Sequence, residues 1–266
     1  MSVAVIVGSA FQTRSLAGHE LEPISIPTPW GDVILHKYPS QERPGYVLFR
    51  HGLPHAFLPN QIPYRAHTHA LKEVGCEALL VTSSVGVLST EVPLFDPLLV
   101  SDLLMPENRL PDGSACSMFQ EPSEQHGHLV LDEGLFSQAL NAQLRSMAEE
   151  AQIPIGGEVV FAYVGGPRTK TSAENAFWAK VGAQVNSMTL GPEVVLANEL
   201  AIPTSAIVSG HKYSVPHHDD PFAQETITSS LQRSHRFLET LVVAFLDKAQ
   251  GVPFANRLYR FHQSED

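Results

Sequence analysis

Short apolar runs alternate along this chain with longer stretches in which apolar side chains return every three or four residues. The runs at 3–7, 33–36, 46–49, 78–82, 98–100, 159–164 and 205–208 are rich in β-branched and aliphatic residues, and several are apolar on consecutive positions. Such runs have no polar face, so they predict strands of a sheet covered on both sides. Between them, residues 61–74 place Ile62, Ala66, Ala70, Leu71 and Val74 on one stripe, and Gly75 stops the helix. A second helix is expected over 135–151, where Leu140, Leu144, Met147 and Ala151 recur at helical spacing. Thr171-Ser172-Ala173-Glu174 reads as a capping box that opens a helix through Phe177, Trp178 and Val181 to Gly182, with both aromatics expected in the core. Pro192 suits the first position of a helix over 193–200. A last helix over 223–249 carries Ile227, Leu231, Leu238, Leu241, Val242 and Phe245, and is long enough to cover the sheet. Residues 104–128 break the pattern with Pro, Asn, Gly, Ser and His, and predict a long loop. The alternation as a whole predicts one α/β domain spanning 1–266.

Composition narrows the partners. A formal charge of −11 over 266 residues argues against nucleic acid or an anionic membrane, so any anionic ligand needs a local positive pocket. Cys76 and Cys116 are the only cysteines, too few for a disulfide framework, and point to a reducing compartment. The N-terminus has no basic leader, and no stretch approaches the roughly 20 apolar residues of a spanning helix. A soluble, cytoplasmic protein is expected.

Open α/β sheets place their sites where strands give way to loops. Here those junctions read Gly8-Ser9, Arg50-His51-Gly52 followed by His55, Thr82-Ser83-Ser84-Val85-Gly86, and Asn186-Ser187-Met188-Thr189 before a helix. A guanidinium, an imidazole, several hydroxyls and exposed backbone N–H groups form the inventory that holds a phosphate-like anion. Other chemistries lack their parts. Gly8 is isolated, so neither a dinucleotide fingerprint nor a phosphate-binding P-loop is present, and no Gly-x-Ser-x-Gly elbow supplies a serine nucleophile. The thirteen histidines include His51/His55, His67/His69, His126/His128 and His217-His218-Asp219-Asp220, none at a metallohydrolase spacing. The paired ones on loops are expected at the surface, and no metal is expected.

At these residues the chain resembles the trimeric purine nucleoside phosphorylase family, and most of all its 5′-methylthioadenosine phosphorylases. Three blocks carry the likeness: Phe49-Arg-His-Gly-Leu-Pro-His55 continued by 63–66 and 70–75, Leu80-Val-Thr-Ser-Ser-Val-Gly86, and Gly166-Pro-Arg168 through Thr171–Glu174 to Ser187-Met-Thr-Leu-Gly-Pro-Glu-Val-Val-Leu-Ala197. The resemblance implies a mixed, partly barrel-like central sheet flanked by helices. It implies a phosphate site at Ser9, Arg50, His51, Ser83, Ser84 and Thr189, with Met188, Thr169 and Ser187 at the nucleoside. It also implies phosphorolysis without a cofactor: inorganic phosphate attacks the anomeric carbon while the purine leaves, giving free base and a (5-methylthio)ribose 1-phosphate. Members are usually homotrimers in which a neighbour's loop closes the sugar pocket, and 104–128 is the candidate loop.

The chain departs from the pattern at the base. Ala10 and Phe11 follow the first hydroxyl where glycine is usual, Thr169 replaces an aromatic, and Lys170 replaces a glutamate. The family's Asp or Asn after the strand at 205–208 is missing from Ser209-Gly-His-Lys-Tyr-Ser214. His211 is therefore expected as leaving-group acid or hydrogen-bond donor, with Asp219 or Asp220 as its substitute. Two alternatives remain at this level: a hydrolytic nucleosidase or phosphorylase of altered base specificity, and a non-catalytic nucleoside-binding relative.

Overall fold

In the first strand, alternate side chains enter opposite layers: Ala4 and Ile6 join one buried cluster, and Val3, Val5 and Val7 join another. That two-sided burial is what consecutive apolar residues require. A computed structural model describes residues 2–40, 42–124, 126–215 and 227–260. Its elements run β1 (Ser2–Val7), β2 (Ser15–Leu16), β3 (His19–Glu20), β4 (Glu22–Ile26), β5 (Val33–Tyr38), β6 (Gly45–Phe49), α1 (Tyr64–Glu73), β7 (Cys76–Val87), β8 (Pro97–Leu104) and β9 (His128–Val130). They continue with α2 (Gln138–Glu150), β10 (Glu158–Tyr163), α3 (Ser172–Lys180), β11 (Val185–Ser187), α4 (Gly191–Glu199), β12 (Thr204–Tyr213), α5 (Ile227–Lys248) and β13 (Arg257–Tyr259).

Among the described residues, nine strands form one mixed sheet in the order β11-β10-β8-β12-β7-β1-β6-β5-β4. A further antiparallel pairing of β11 with β7 curls half of it into a partly closed barrel. β1 runs parallel to β6 and β7, and β7 parallel to β12, so the ends of these strands point the same way. Helices α1 and α4 cover one face through Ala66, Ala70, Leu71, Val194 and Ala197. The other face is covered by α2 and α5, through Leu140, Leu144, Leu238, Leu241, Val242 and Phe245. The α/β class and mixed, partly barrel-like sheet are thus as expected.

Several boundaries differ. The expected strands at 78–82 and 205–208 are far longer, because β7 and β12 keep pairing side by side from Thr204 opposite Leu79 to Tyr213 opposite Val87. Thr82-Ser83-Ser84 is therefore strand interior and not a turn, and His211 lies on β12 itself. Partner strands, and not local polarity, decide where a strand ends. The capping box is present, yet α3 buries only Asn175, and Phe177 is 57% exposed. Phe177 is not a core residue, since the helix lies at the rim of the barrel with nothing packed outside it among the described residues. Helix α5 covers the sheet as expected, and residues 223–226 of that expected helix lie outside the described residues.

Residues 104–128 are more ordered than their composition suggests. Arg109 bridges to Ala115, and Leu110, Cys116 and Met118 are buried with Ile62 and Leu196 against α1 and α4. Arg65 Nε donates to the Ser117 carbonyl at 2.8 Å, and the Glu199 carboxylate accepts from the Met118 N–H at 2.6 Å.

Candidate active site

The parallel strand ends open into a cavity of about 310 Å³, lined by residues from β1, β6, β7, β11, β12 and the turn before α3. All ten described residues singled out in the sequence line it: Ser9, Arg50, His51, Ser83, Ser84, Thr169, Ser187, Met188, Thr189 and His211. Asp219 and Asp220 lie outside the described residues.

Arg50 is the most constrained. It follows β6 and is 1% exposed. Its Nε and Nη2 donate to Glu193 Oε1 and Oε2 at 2.7 and 2.8 Å, and Glu193 is itself fully buried. This two-pronged pair fixes the guanidinium plane. The remaining nitrogen, Nη1, is so close to Gly8 that a Cβ there would stand 2.8 Å from it. Glycine at the end of β1 is therefore a space requirement. Glu193 was not singled out from the sequence, although a carboxylate within the otherwise apolar run Leu190-Gly-Pro-Glu-Val-Val-Leu-Ala197 was the available signal.

The hydroxyls gather beside it. Ser83 Oγ lies 3.4 Å from both Ser187 Oγ and Thr189 Oγ1, so Ser187 stands in the same hydroxyl group as Ser83 and Thr189. The Ser84 hydroxyl is buried with no partner among the described residues. Thr189 is held by an unusual turn: Leu190 has φ 75° and ψ −50°, and the Gly191 N–H returns to the Thr189 carbonyl at 3.0 Å. This is a strained three-residue turn, and it costs about 1–3 kcal/mol that the surrounding packing must supply.

His51 is not a cation. Burial and the neighbouring Arg50 lower it to about 4, and its Nδ1–H donates to the Phe57 carbonyl at 2.8 Å. In that tautomer Nε2 is an acceptor, suited to a protonated phosphate oxygen or a sugar hydroxyl. Behind it, His67 is fully buried and lowered to about 3 by burial, Arg50 and His51. His67, on α1, is thus buried close to Arg50 and His51, while His69 on the same helix is partly exposed.

The base end is built differently. The β7–β12 ladder pairs Gly210 with Val85 and Lys212 with Gly86, which leaves His211 as the extra residue of a β-bulge. Bulges re-aim side chains, and here the imidazole reaches the cavity. Burial, Lys212 and Lys170 lower His211 to about 4, so it is neutral at pH 7 and can serve as a hydrogen-bond donor but not as a protonated acid. Lys170 and Lys212 also line this end, with Asn175, Asn186 and Ser214. Asn186 Nδ2 donates to Asn175 Oδ1 at 3.0 Å. Lys170 sits on a stapled turn: Arg168 makes two hydrogen bonds to Glu174, at 2.9 and 2.7 Å, while Glu174 and Thr171 complete the capping box. Met188 packs against Gly166, where an added Cβ would require the methionine side chain to shift.

Known proteins give this arrangement a family. Residues 2–247 match the phosphorylase superfamily. S-methyl-5′-thioadenosine phosphorylase 1 of Puccinia graminis is 27% identical over 262 residues, covering 94% of this chain and 84% of that protein. A probable S-methyl-5′-thioinosine phosphorylase of Methanopyrus kandleri is 32% identical over 200 residues, covering 75% of this chain and 74% of that protein. Among solved structures, methylthioadenosine phosphorylase from Schistosoma mansoni in complex with adenine shares the fold, with a TM-score of 0.78 at 20% identity over 92% of this chain and 90% of that one. With an anion pocket, a barrel-like sheet and a sequence match over nearly the whole length, the chain belongs to the phosphorylase superfamily.

Proposed function

We propose that this chain is a nucleoside phosphorylase that cleaves the N-glycosidic bond of a purine nucleoside of the 5′-methylthioadenosine type with inorganic phosphate. The observation that carries the reading is the convergence of Ser9, Arg50, Ser83, Ser84 and Thr189 with Met188 on one cavity. Held phosphate supplies the nucleophile and places negative charge beside the cation that develops at the anomeric carbon. His51, as an acceptor, orients a protonated phosphate oxygen or a sugar hydroxyl. The names of the relatives support the substrate type.

The reading takes the chain as one phosphorylase unit over 1–266, working in the cytoplasm as a homotrimer with no cofactor. Unpaired, buried Cys76 and Cys116 are in keeping with a reducing compartment. Among the described residues no helix is long and apolar enough to cross a membrane. Among the described residues of 104–128 none lines this cavity, which is in keeping with a role at a neighbour's.

The test is a panel of purine nucleosides assayed for released base with and without phosphate. Phosphate-dependent release is expected. Cleavage at full rate without phosphate would make the chain a hydrolase, and tight nucleoside binding without turnover would make it a binding protein.

A further inference from the structure

The cavity wall carries cations but, among the described residues, no carboxylate, in a chain with 28 acidic and 17 basic residues. The charge of Arg50 is already taken up by Glu193. Lys170 and Lys212 have no ion pair among the described residues. Burial and repulsion from Lys212 hold the Lys170 ammonium below its ordinary range, at about 8, and only Glu174 across the capped turn acts the other way. The same two lysines help keep His211 neutral. A ligand that brings negative charge to this end relieves all three groups.

Lys212 stands apart from the Ser83 hydroxyl along the strand. Lys212 pairs with Gly86 on β7, whereas Val208 pairs with Ser83. Three residues of strand separate the two positions, roughly 10 Å at about 3.3 Å per residue.

We propose that Lys170 and Lys212, with His211, are the base-recognition residues, and that they select a purine whose edge presents oxygen acceptors and takes up negative charge: an oxopurine nucleoside over a 6-aminopurine one. This deepens the phosphorylase reading and rests on it, keeping a purine nucleoside with a 5′-methylthioribose-type sugar but replacing its adenine by a 6-oxopurine. An ammonium has three donors and no acceptor. Against a 6-amino group, itself a donor, it would be desolvated without a partner. N7 is an acceptor in both kinds of purine, and a 6-oxo purine adds the carbonyl oxygen beside it. As the phosphate oxygen bonds to C1′, the C1′–N9 bond breaks and its electron pair passes to the base. An oxopurine spreads that charge onto its oxygen, beside the ammonium, and then takes a proton from solvent.

The experiment measures kcat/KM at saturating phosphate for inosine against adenosine, and for 5′-methylthioadenosine against its 6-oxo counterpart. The 6-oxo member of each pair is expected to be better by at least about tenfold, as one charge-assisted hydrogen bond implies. Lys170→Gln and Lys212→Gln should each shrink that ratio by about tenfold, while the phosphate dissociation constant and the melting temperature stay as in the parent. Equal or faster turnover of the 6-amino members overturns the proposal. So does a Lys170→Gln protein that loses phosphate affinity and keeps its base ratio. Failure to cleave any nucleoside sinks the phosphorylase reading instead. Calorimetry of hypoxanthine against adenine then decides the lysine proposal, which stands only if hypoxanthine binds more tightly and Lys170→Gln removes the difference.

Discussion

The two ends of one cavity are built on opposite principles. At the phosphate end, most groups have a fixed neighbour: Arg50 is locked on Glu193, Ser83 lies among Ser187 and Thr189, and the His51 ring is tied to the Phe57 carbonyl, while the buried Ser84 hydroxyl is without a partner among the described residues. At the base end, His211 stands on a bulge with its Nδ1 unpartnered among the described residues, and two lysines share a wall. On the proposed function, the first end is preorganised for an anion that is the same in every turnover. The second leaves its charges open for a ligand to complete, which suits the part of the site that sets specificity.

The comparison is broken most severely by Glu193→Ala. It leaves the Arg50 charge buried and unpaired, and should lower stability by about 3–5 kcal/mol in urea unfolding. A loss below 1 kcal/mol would mean that the phosphate end is not held as described. Next comes His211→Ala, expected to lower kcat by about a hundredfold, with His211→Gln recovering part of it because a neutral donor is all that is required. Near-normal turnover of His211→Ala would remove the imidazole from the chemistry. Thr189→Val should raise the KM for phosphate by about tenfold with little change in base preference, since a single hydrogen bond to a charged oxygen is lost. An altered 6-oxo to 6-amino ratio in that variant would show that the two ends are not separable.

The pH response sharpens the contrast. Because His67 is lowered to about 3, the unfolded chain binds its proton first as pH falls. Stability is then full above the ordinary histidine value near 6.5 and declines below it, by up to about 1.4 kcal/mol per pH unit. Melting temperatures from pH 7 to 4 check this, and His67→Phe should flatten the slope. At the base end the change comes on the alkaline side. Lys170, facing Lys212, Glu174 and His211, loses its charge as pH rises through about 8. The 6-oxo preference should fall there, and should not fall in Lys170→Gln.

Much of the site was legible because its residue types are unusual for their places. An Arg-His pair leaving a buried strand and serines in an apolar run stand out without coordinates, and the capping box at Thr171 formed as its spacing required. Glu193 was legible in principle, as a charge inside an apolar helix, but its partner lies 143 residues away in sequence. Periodicity does not report contacts at that separation. Phe177 misled for the same reason: an aromatic on a helix is buried only if some other element lies over it.

By itself the sequence determined the α/β alternation, the two-sided burial of the sheet and the side chains that line the cavity. These follow from local pattern and chemical type. Only the tertiary structure decided which charges are satisfied. It neutralised Arg50 with Glu193, favoured the neutral imidazoles of His51 and His211 by burial and nearby cations, and left Lys170 and Lys212 open on the cavity wall. Charge state is a property of surroundings, set by desolvation and by neighbours brought from distant parts of the chain.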